Sequence, residues 1–370
     1  MDEHQARPRR AIVVHSPYSG KSDQLPAAIT SLQQHGIEIA AVSIKNLDGL
    51  PPQGTRWVEN GFDTAIAAGG DGLVGGVATH VVESGLPMGI LPLGTANDIA
   101  RSLSIPQELP AAIETITDGK IAEIDIGVAQ PAEQAPHSAN PQAGGHSFAT
   151  ISTHQRSFFV HALTTGLNVQ FARLATNVAT RQRFGRLTYP FAALEVLRNH
   201  QALEMEMTFE GLVVMKPTAD QAGATTPVIS ADTVEFRCRA LQATVINAPV
   251  FGGAWQLSIP GANLQDRLLD IVIIEDIDLE DLGASIASFF NQQTAPAAGP
   301  ASWQTSFPQF REAELIALPG IHHVRARGVI IKTNADPQDV TLDGEVRGRT
   351  PIDTHMAEQR LKVLVPPGTP

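Results

Sequence analysis

The sequence predicts two domains of different class, an α/β domain followed by an antiparallel β-sandwich. Up to about residue 124, short apolar runs alternate with helical stretches, which is typical of a parallel sheet covered by helices. Beyond that point, strand-like runs separated by turn residues follow one another, as in a sandwich. The length of 370 residues suits two cores better than one.

In the first part, each element follows from its local pattern. Strands are predicted where short apolar runs end at a turn, and helices where apolar residues recur at helical spacing. The predicted strands are 11–14, 37–44, 64–68 and 88–91. The predicted helices are 24–34, 74–82, 97–103 and 110–118.

In the second part, helices become rare. The predicted strands are 158–162, 204–209, 212–215, 233–237, 243–248, 269–274 and 328–333, with helical pieces near 189–198 and 279–290. Residues 130–155 are rich in Ala, Pro, Gly, Gln and His without periodicity, which predicts a flexible insertion.

Composition excludes several classes of function. A net charge of −12 argues against nucleic acid as a partner and against diffuse attraction to anionic lipid. Contact with lipid head groups would be local, at Arg181, Arg183 and Arg186, although a solvated basic helix face is the favoured explanation of these residues. The single cysteine, Cys238, excludes a disulfide framework. With a polar leader and no apolar run of ~20 residues, we expect a soluble cytoplasmic protein without a transmembrane segment.

A glycine turn follows the third predicted strand. It consists of Gly69, Gly70, Asp71 and Gly72. Glycines after a buried strand let the backbone approach a polyphosphate, and the following helix offers N–H groups to phosphate oxygens. Asp71 stands where a carboxylate can orient Mg²⁺ or water. The alternative is an ordinary strand–helix turn with a capping aspartate.

Two more turns end neighbouring strands of the predicted sheet. After the fourth strand come Gly94, Thr95, Ala96, Asn97 and Asp98. After the first come Ser16, Pro17, Tyr18, Ser19 and Gly20, without the spacing of a Walker A loop. Thr95 can donate a hydrogen bond to a phosphate, while Asn97 or Asp98 can cap the next helix. Because carboxyl ends of parallel strands converge on one crevice, we expect the three turns to form one site.

A further motif lies far downstream. Asp343 and Glu345 flank Gly344 in a turn after a strand-like run. A carboxylate there could accept the proton of an attacking hydroxyl, as kinases require. An acidic hairpin tip is the alternative, because Asp-Gly is a common turn.

Taken together, these motifs resemble the diacylglycerol-kinase-like lipid kinases, especially the bacterial soluble ones that phosphorylate diacylglycerol or phosphatidylglycerol. The resemblance covers nearly the whole chain and includes segments 123–127, 184–189, 247–253, 260–270 and 361–366. It implies a Rossmann-like ATP domain at 1–124, completed by a return of residues 350–370. A β-sandwich substrate domain would span 125–349, in the arrangement of NAD kinases and diacylglycerol kinases.

The resemblance also implies an ATP- and Mg²⁺-dependent transfer to a lipid hydroxyl. Nucleotide contacts would fall on residues 16–20, Thr95 and the segment Gly70, Asp71, Gly72, Leu73, Val74, Gly75 and Gly76. Asp71, Asp98 and Asp125 are similar to an acidic network that organises Mg²⁺ and water, and Glu345, supported by Asp343, to the proton acceptor. A structural Mg²⁺ would use Asp266 with the carbonyl groups of Asn263 and Leu268.

The chain departs from the family pattern in the helix after Gly72. The family usually continues Gly-Gly-Asp-Gly-Thr-x-Asn-Glu, whereas this chain has Leu73, Val74, Gly75 and Gly76. Two alternatives to a lipid kinase stay open, the first because of this departure and the second because NAD kinases share the Gly-Gly-Asp-Gly turn and a similar sheet. One is a degenerate homologue that binds lipid or nucleotide without turnover, and the other is a kinase for a soluble substrate such as NAD. We also expect peripheral contact with the inner face of the membrane, where the lipid substrate lies, and an exposed sheet edge could pair in a homodimer.

Overall fold

The computed structural model describes residues 7–132, 156–167, 202–217, 225–253, 256–277, 285, 289, 316–318, 320–334 and 336–369. The helices are α1 Leu25–Gln34, α2 Gly54–Glu59, α3 Asp71–Val81, α4 Asp98–Ser102 and α5 Leu109–Asp118, with 3-10 turns at Ser22–Gln24 and Ile44–Leu47. The first strands are β1 Arg10–His15, β2 Glu38–Ser43, β3 Thr64–Gly69, β4 Met88–Pro92, β5 Lys120–Ile124, β6 Gly127–Pro131, β7 Ser157–Phe159, β8 Ala162–Gly166, β9 Leu203–Glu210, β10 Val213–Pro217 and β11 Thr225–Ile229. They are followed by β12 Val234–Ile246, β13 Val250–Phe251, β14 Leu257–Ser258, β15 Leu269–Glu275, β16 Ile316–Leu318, β17 Ile321–Ala326, β18 Gly328–Thr333, β19 Asp339–Leu342, β20 Glu345–Arg349, β21 Ile352–Met356 and β22 Leu361–Val365.

The first sheet is mostly parallel and has the strand order β2-β1-β3-β4-β22-β5. Strands β1 to β4 pair in parallel, so their carboxyl ends lie along one edge. Every residue of β3 is buried, because small residues such as Ala65 and Ala67 allow helices to cover both faces. This arrangement brings the turns after β1, β3 and β4 to the same side of the domain.

The second sheet is antiparallel and contains twelve strands among the described residues. Strand β12 is central, since its first half pairs with β9 and its second half with β8. A register shift between Ala240 and Gln242 separates the two halves, and such a bulge bends a strand from one layer toward another. Buried residues of these strands form a second core. The two sheets confirm the predicted fold class.

Several predicted elements were wrong in detail. The predicted strand 158–162 is interrupted at Val160 and His161, which separate β7 from β8. The predicted strands 233–237 and 243–248 are one continuous strand, β12. Helix α2, which spans six residues, was not predicted. The predicted insertion 130–155 and the cluster Arg181, Arg183 and Arg186 lie outside the described residues, apart from the end of β6.

The chain returns to the first sheet only at its last strand. Strand β21 still belongs to the antiparallel sheet, where it pairs with β18 and β6. Strand β22 then pairs antiparallel with β5 and contacts β4 through Val363 and Met88. The predicted return at 350–370 therefore begins later, at Leu361. None of the helices in the described ranges combines the length and hydropathy of a segment that crosses a bilayer.

Candidate active site

The three predicted turns meet at the carboxyl edge of the first sheet. The N–H of Lys21, after the first turn, donates to the carbonyl of Leu93 at 2.9 Å. The N–H of Leu93 donates in turn to the carbonyl of Gly69 at 3.1 Å. A β-carbon at Gly20 would lie 3.3 Å from Oγ1 of Thr95. The structure thus brings together the turn residues that the sequence predicts as one site.

Two glycines of this edge are in backbone contact. A β-carbon at Gly70 would lie 3.2 Å from Cα of Gly94, and one at Gly94 would overlap Gly70. Side chains are therefore excluded where the turns after β3 and β4 touch. The first turn of α3 starts here, and helix starts present N–H groups and a partial positive charge. The arrangement suits the phosphate groups of a nucleotide.

The turn after β1 forms one rim of the site. Its backbone closes through a hydrogen bond from the N–H of Ser19 to the carbonyl of Ser16 at 3.3 Å. The ring of Tyr18 is 74% exposed, and its hydroxyl accepts a hydrogen bond from Nζ of Lys45 at 2.8 Å. The ammonium group also lies 4.3 Å from the ring centroid. An exposed aromatic ring and a cation therefore stand together beside the glycine turns.

Asp71 has a structural role that the sequence did not predict. Its Oδ1 accepts the N–H of Ile99 at 2.8 Å, which caps the start of α4. Asn97 precedes that helix in a left-handed conformation with φ 54°, and its side chain makes no cap hydrogen bond. Oδ1 of Asn97 accepts the N–H of Gly94 at 2.9 Å, while Nδ2 donates to the carbonyl of Pro92 at 3.1 Å. Asn97 thus fixes the turn after β4, and the predicted capping of α4 by Asn97 or Asp98 was wrong.

Asp98 connects this edge to the second domain. It is buried, and its Oδ1 accepts the N–H of Gly253 at 2.7 Å. Burial raises the pKa of Asp98, and the charge of Asp71 raises it further, while hydrogen bonding by Gly253 and the proximity of His161 lower it. A Mg²⁺ ion bound with nucleotide uses one or two carboxylates plus phosphate oxygens. Because a carboxylate has several acceptor positions, Asp71 and Asp98 fit that role.

His161 was missed in the sequence. It lies between β7 and β8, and its Nε2 is 2.9 Å from the carbonyl oxygen of Val250. Its ring packs at a tilt against Phe251 with centroids 4.1 Å apart, and the charges of Asp98 and Asp343 both interact with it. A single histidine between two strand-like runs carries no recognisable motif, so only tertiary structure reveals it.

Asp343 is held at the tip of a tight hairpin. Strands β19 and β20 pair Leu342 with Glu345, and the two turn residues Asp343 and Gly344 have φ 48° and 84°. Such a two-residue turn matches an Asp-Gly sequence. The Asp343 carboxylate accepts three backbone N–H groups at 2.8–3.1 Å, those of Val160, His161 and Ala162. Burial raises the pKa of Asp343, and these hydrogen bonds lower it.

Glu345 lies directly against the glycine turn of the first domain. A β-carbon at Gly72 would come within 2.9 Å of Cγ and Oε1 of Glu345. Burial raises the pKa of Glu345, and the charge of Arg347 lowers it. The two downstream carboxylates and the turn after β3, separated by some 270 positions in the chain, therefore share one site.

Asp125 makes none of the contacts described above for Asp343 and Glu345. It is fully buried, and its Oδ1 accepts Nε of Arg360 at 2.9 Å and lies 3.4 Å from Nη1 of Arg267. Its Oδ2 accepts the N–H of Arg267 at 2.6 Å. Two guanidinium groups thus neutralise Asp125, which serves as an ionic junction between β5, the loop before β15 and the segment before β22.

The predicted structural Mg²⁺ site does not fit the loop before β15. One oxygen of Asp266 accepts the N–H of Leu268 at 3.0 Å, and the other lies 3.5 Å from Nη1 of Arg325. A dication needs several oxygen ligands and is repelled by a neighbouring guanidinium. Nowhere in the described part of the chain do three or more His, Cys, Asp or Glu side chains cluster as a metal site.

Two family models match the chain. One, described as the diacylglycerol kinase catalytic domain, matches residues 10–129. The other, described as the YegS C-terminal NAD kinase beta sandwich-like domain, matches residues 161–293. Together they span more than half of the chain and follow the order of the two sheets.

Known proteins match over nearly the full length. Proteins named diacylglycerol kinase from Staphylococcus saprophyticus subsp. saprophyticus and Staphylococcus epidermidis are each 22% identical over 363 residues, which cover 97% of this chain and 96% and 92% of theirs. A crystal structure of a candidate diacylglycerol kinase from Bacillus anthracis str. Sterne superposes with a TM-score of 0.62 at 16% identity, covering 100% of this chain and 99% of that one. That structural likeness supports the fold. With both domain models matched in order on the corresponding fold, the chain belongs to the diacylglycerol-kinase-like family of lipid kinases.

Proposed function

We propose that this protein transfers the γ-phosphoryl group of ATP to a hydroxyl group of diacylglycerol or a related lipid, such as phosphatidylglycerol or a sphingoid base. The observation that carries the proposal is the contact of Glu345 with Gly72 at the start of α3. A carboxylate of the second domain therefore lies beside the glycine turn that would bind phosphate. Phosphoryl transfer requires such a juxtaposition of phosphate and proton acceptor.

The glycine turns and the start of α3 would bind the phosphate groups, with Thr95 as an additional donor. Asp71 and Asp98 would hold Mg²⁺, which when bound neutralises phosphate charge. Their hydrogen bonds to Ile99 and Gly253 fix the positions of both carboxylates. Tyr18 and Lys45 would lie at the rim where the remainder of the nucleotide enters.

Glu345 would act as the proton acceptor. It takes the proton of the lipid hydroxyl as the hydroxyl oxygen bonds to the γ-phosphorus, while the bond from that phosphorus to the bridging oxygen breaks and ADP leaves. Asp343 does not need to take part in proton transfer, because three backbone N–H groups occupy its carboxylate. It would instead fix the hairpin that presents Glu345.

The experiment is an assay with Mg²⁺, labelled ATP and a panel of lipids in mixed micelles. Label in diacylglycerol, phosphatidylglycerol or a sphingoid base supports the proposal, and Glu345→Gln should lower the rate at least about 100-fold. Glu59→Gln, an exposed residue at the end of α2, is the matched control and should keep the wild-type rate.

The same assay distinguishes the alternatives. Label in NAD and in none of the lipids would replace the lipid proposal with a kinase for a soluble substrate. Measurable nucleotide binding without any label transfer would instead favour a degenerate homologue. Peripheral contact with the inner face of the membrane and a homodimer are further parts of the proposal, which vesicle sedimentation and light scattering would test.

A further inference from the structure

We propose that Arg347 is a positioning residue of this site, a fixed positive charge that holds the β19–β20 hairpin on α3 and stabilises the proton acceptor in its working form. The inference rests on the proposed function of Glu345. Arg347 belongs to no motif in the sequence, and no role follows for it from the proposed reaction alone.

Arg347 and Glu345 both face α3, while Val346 between them is 41% exposed. The register of β20 with β19 shifts at Arg347, and such a bulge redirects a side chain. On α3, Gly72 and Gly76 are four residues apart and share a face. Glu345 contacts Gly72, and a β-carbon at Gly76 would lie 3.8 Å from Nη2 of Arg347.

Two glycines of α3, Gly72 and Gly75, leave the space for this contact, and Gly76 lies beside it. We call Gly72, Gly75 and Gly76 the glycine face of α3. A β-carbon at Gly75 would overlap Oδ2 of Asp343, and one at Gly72 would meet Glu345. The positions where the chain departs from the usual motif therefore include those where the hairpin docks. At these positions α3 has no side chains, and the facing strand β20 contributes Arg347.

Arg347 is buried beside several titratable groups. It is only 8% exposed, although a guanidinium remains charged in proteins. Asp343 and Glu345 from its own hairpin, His80 from α3 and Asp48 after the second 3-10 turn all interact with its charge. Because burial raises the pKa of Glu345, an uncompensated Glu345 would hold its proton at higher pH and could not accept another. The positive charge of Arg347 opposes that effect.

The test is the pH dependence of kcat/KM for Arg347→Met. We expect the acidic limb of the profile to move to higher pH. On that limb kcat/KM should fall about tenfold, whereas on the plateau it should fall less than about threefold. Arg347→Lys keeps a positive charge, so its acidic limb should lie close to that of the wild-type protein. Arg349→Met is the control, since Arg349 is exposed on the same strand and pairs with Asp339 at 3.2 Å. An equal loss at every pH, with the limb unmoved, would overturn the inference.

Two further variants separate the loss of the Arg347 charge from misfolding and from an effect of His80. If Arg347→Met does not fold, Arg347→Gln removes the charge while retaining N–H donors and gives the same comparison. His80 also interacts with Arg347, so the double variant His80→Gln/Arg347→Met should still show the moved limb. Disappearance of the movement in that double variant would assign the effect to His80 and overturn the inference.

A readout without turnover separates this inference from the proposed function. If wild-type protein phosphorylates none of the lipids, the proposed function fails, and the inference is tested by NMR titration of ¹³C-labelled glutamate carboxyl groups. Glu345→Gln assigns the signal of Glu345. Its titration should move to higher pH in Arg347→Met and stay unchanged in Arg349→Met. An unchanged titration in Arg347→Met would show that Arg347 does not set the ionisation of Glu345.

Discussion

The carboxylate of Asp343 occupies the space that a side chain at Gly75 would need. A β-carbon at position 75 would lie 3.0 Å from Cγ of Asp343 and overlap its Oδ2. Gly75 belongs to α3, the helix after β3, whereas Asp343 lies at the tip of the β19–β20 hairpin of the second domain. Contact between the domains at the candidate site therefore depends on the absence of a side chain.

We predict opposite effects for alanine at two adjacent glycines. Gly75→Ala should displace the hairpin, lower the free energy of unfolding by about 1–3 kcal/mol and reduce kcat. Gly76→Ala meets no atom closer than 3.6 Å and should stabilise α3 by up to about 1 kcal/mol. Urea unfolding and steady-state kinetics measure both. Equal behaviour of the two variants would contradict the proposed docking.

The wild-type pH profile should reflect the buried position of Glu345. Its ordinary pKa of 4.5 is raised, with burial as the largest cause. A proton acceptor must be ionised, so kcat/KM should fall as the pH drops through a pKa above 4.5. The measurement is kcat/KM across pH with lipid and nucleotide controls for ionisation of the substrates. A limb at or below the ordinary value would rule out Glu345 as the titrating group.

His80 should make stability depend on pH. Burial, and to a smaller extent the charge of Arg347, lower its pKa from 6.5 to about 4. Between these values the unfolded chain binds a proton that the folded protein does not, so stability is lost as pH falls from 6.5 toward 4. The contribution is about 1–3 kcal/mol. Urea unfolding at several pH values should show a shallower slope in His80→Gln, and an unchanged slope would contradict the assignment.

The stability that the ionic junction at Asp125 contributes should depend on its arginine partners and not on a bound metal ion. Arg360→Met removes a partner of a fully buried carboxylate and should cost about 2 kcal/mol. Arg237→Met, which removes an exposed ion pair with Glu206, should cost at most about 1 kcal/mol. In nucleotide-free protein, EDTA should leave the unfolding temperature unchanged. A fall in that temperature on chelation would show that the loop before β15 binds a metal after all.

Local sequence patterns were sufficient to predict the edge of the first sheet and the β19–β20 hairpin. Alternating strands and helices predicted the parallel strands β1 to β4, and Asp343-Gly344 predicted a tight turn. Partners that are distant in the chain could not be predicted in this way. Asp71 caps a helix 28 residues later, and Asp125 meets Arg360 across 235 positions. Such contacts depend on how the domains pack, so neither the role of Arg347 nor the arginine junction is visible in a motif.

Strand β22 has a consequence for how the protein forms during synthesis. The first sheet is complete only when residues Leu361–Val365 pair with β5 and reach Met88 of β4. Until those residues leave the ribosome, β4 and β5 present backbone edges that are open to incorrect pairing. We expect the first sheet to reach its native structure only after β22 has been synthesised, so that both domains acquire their native structure together.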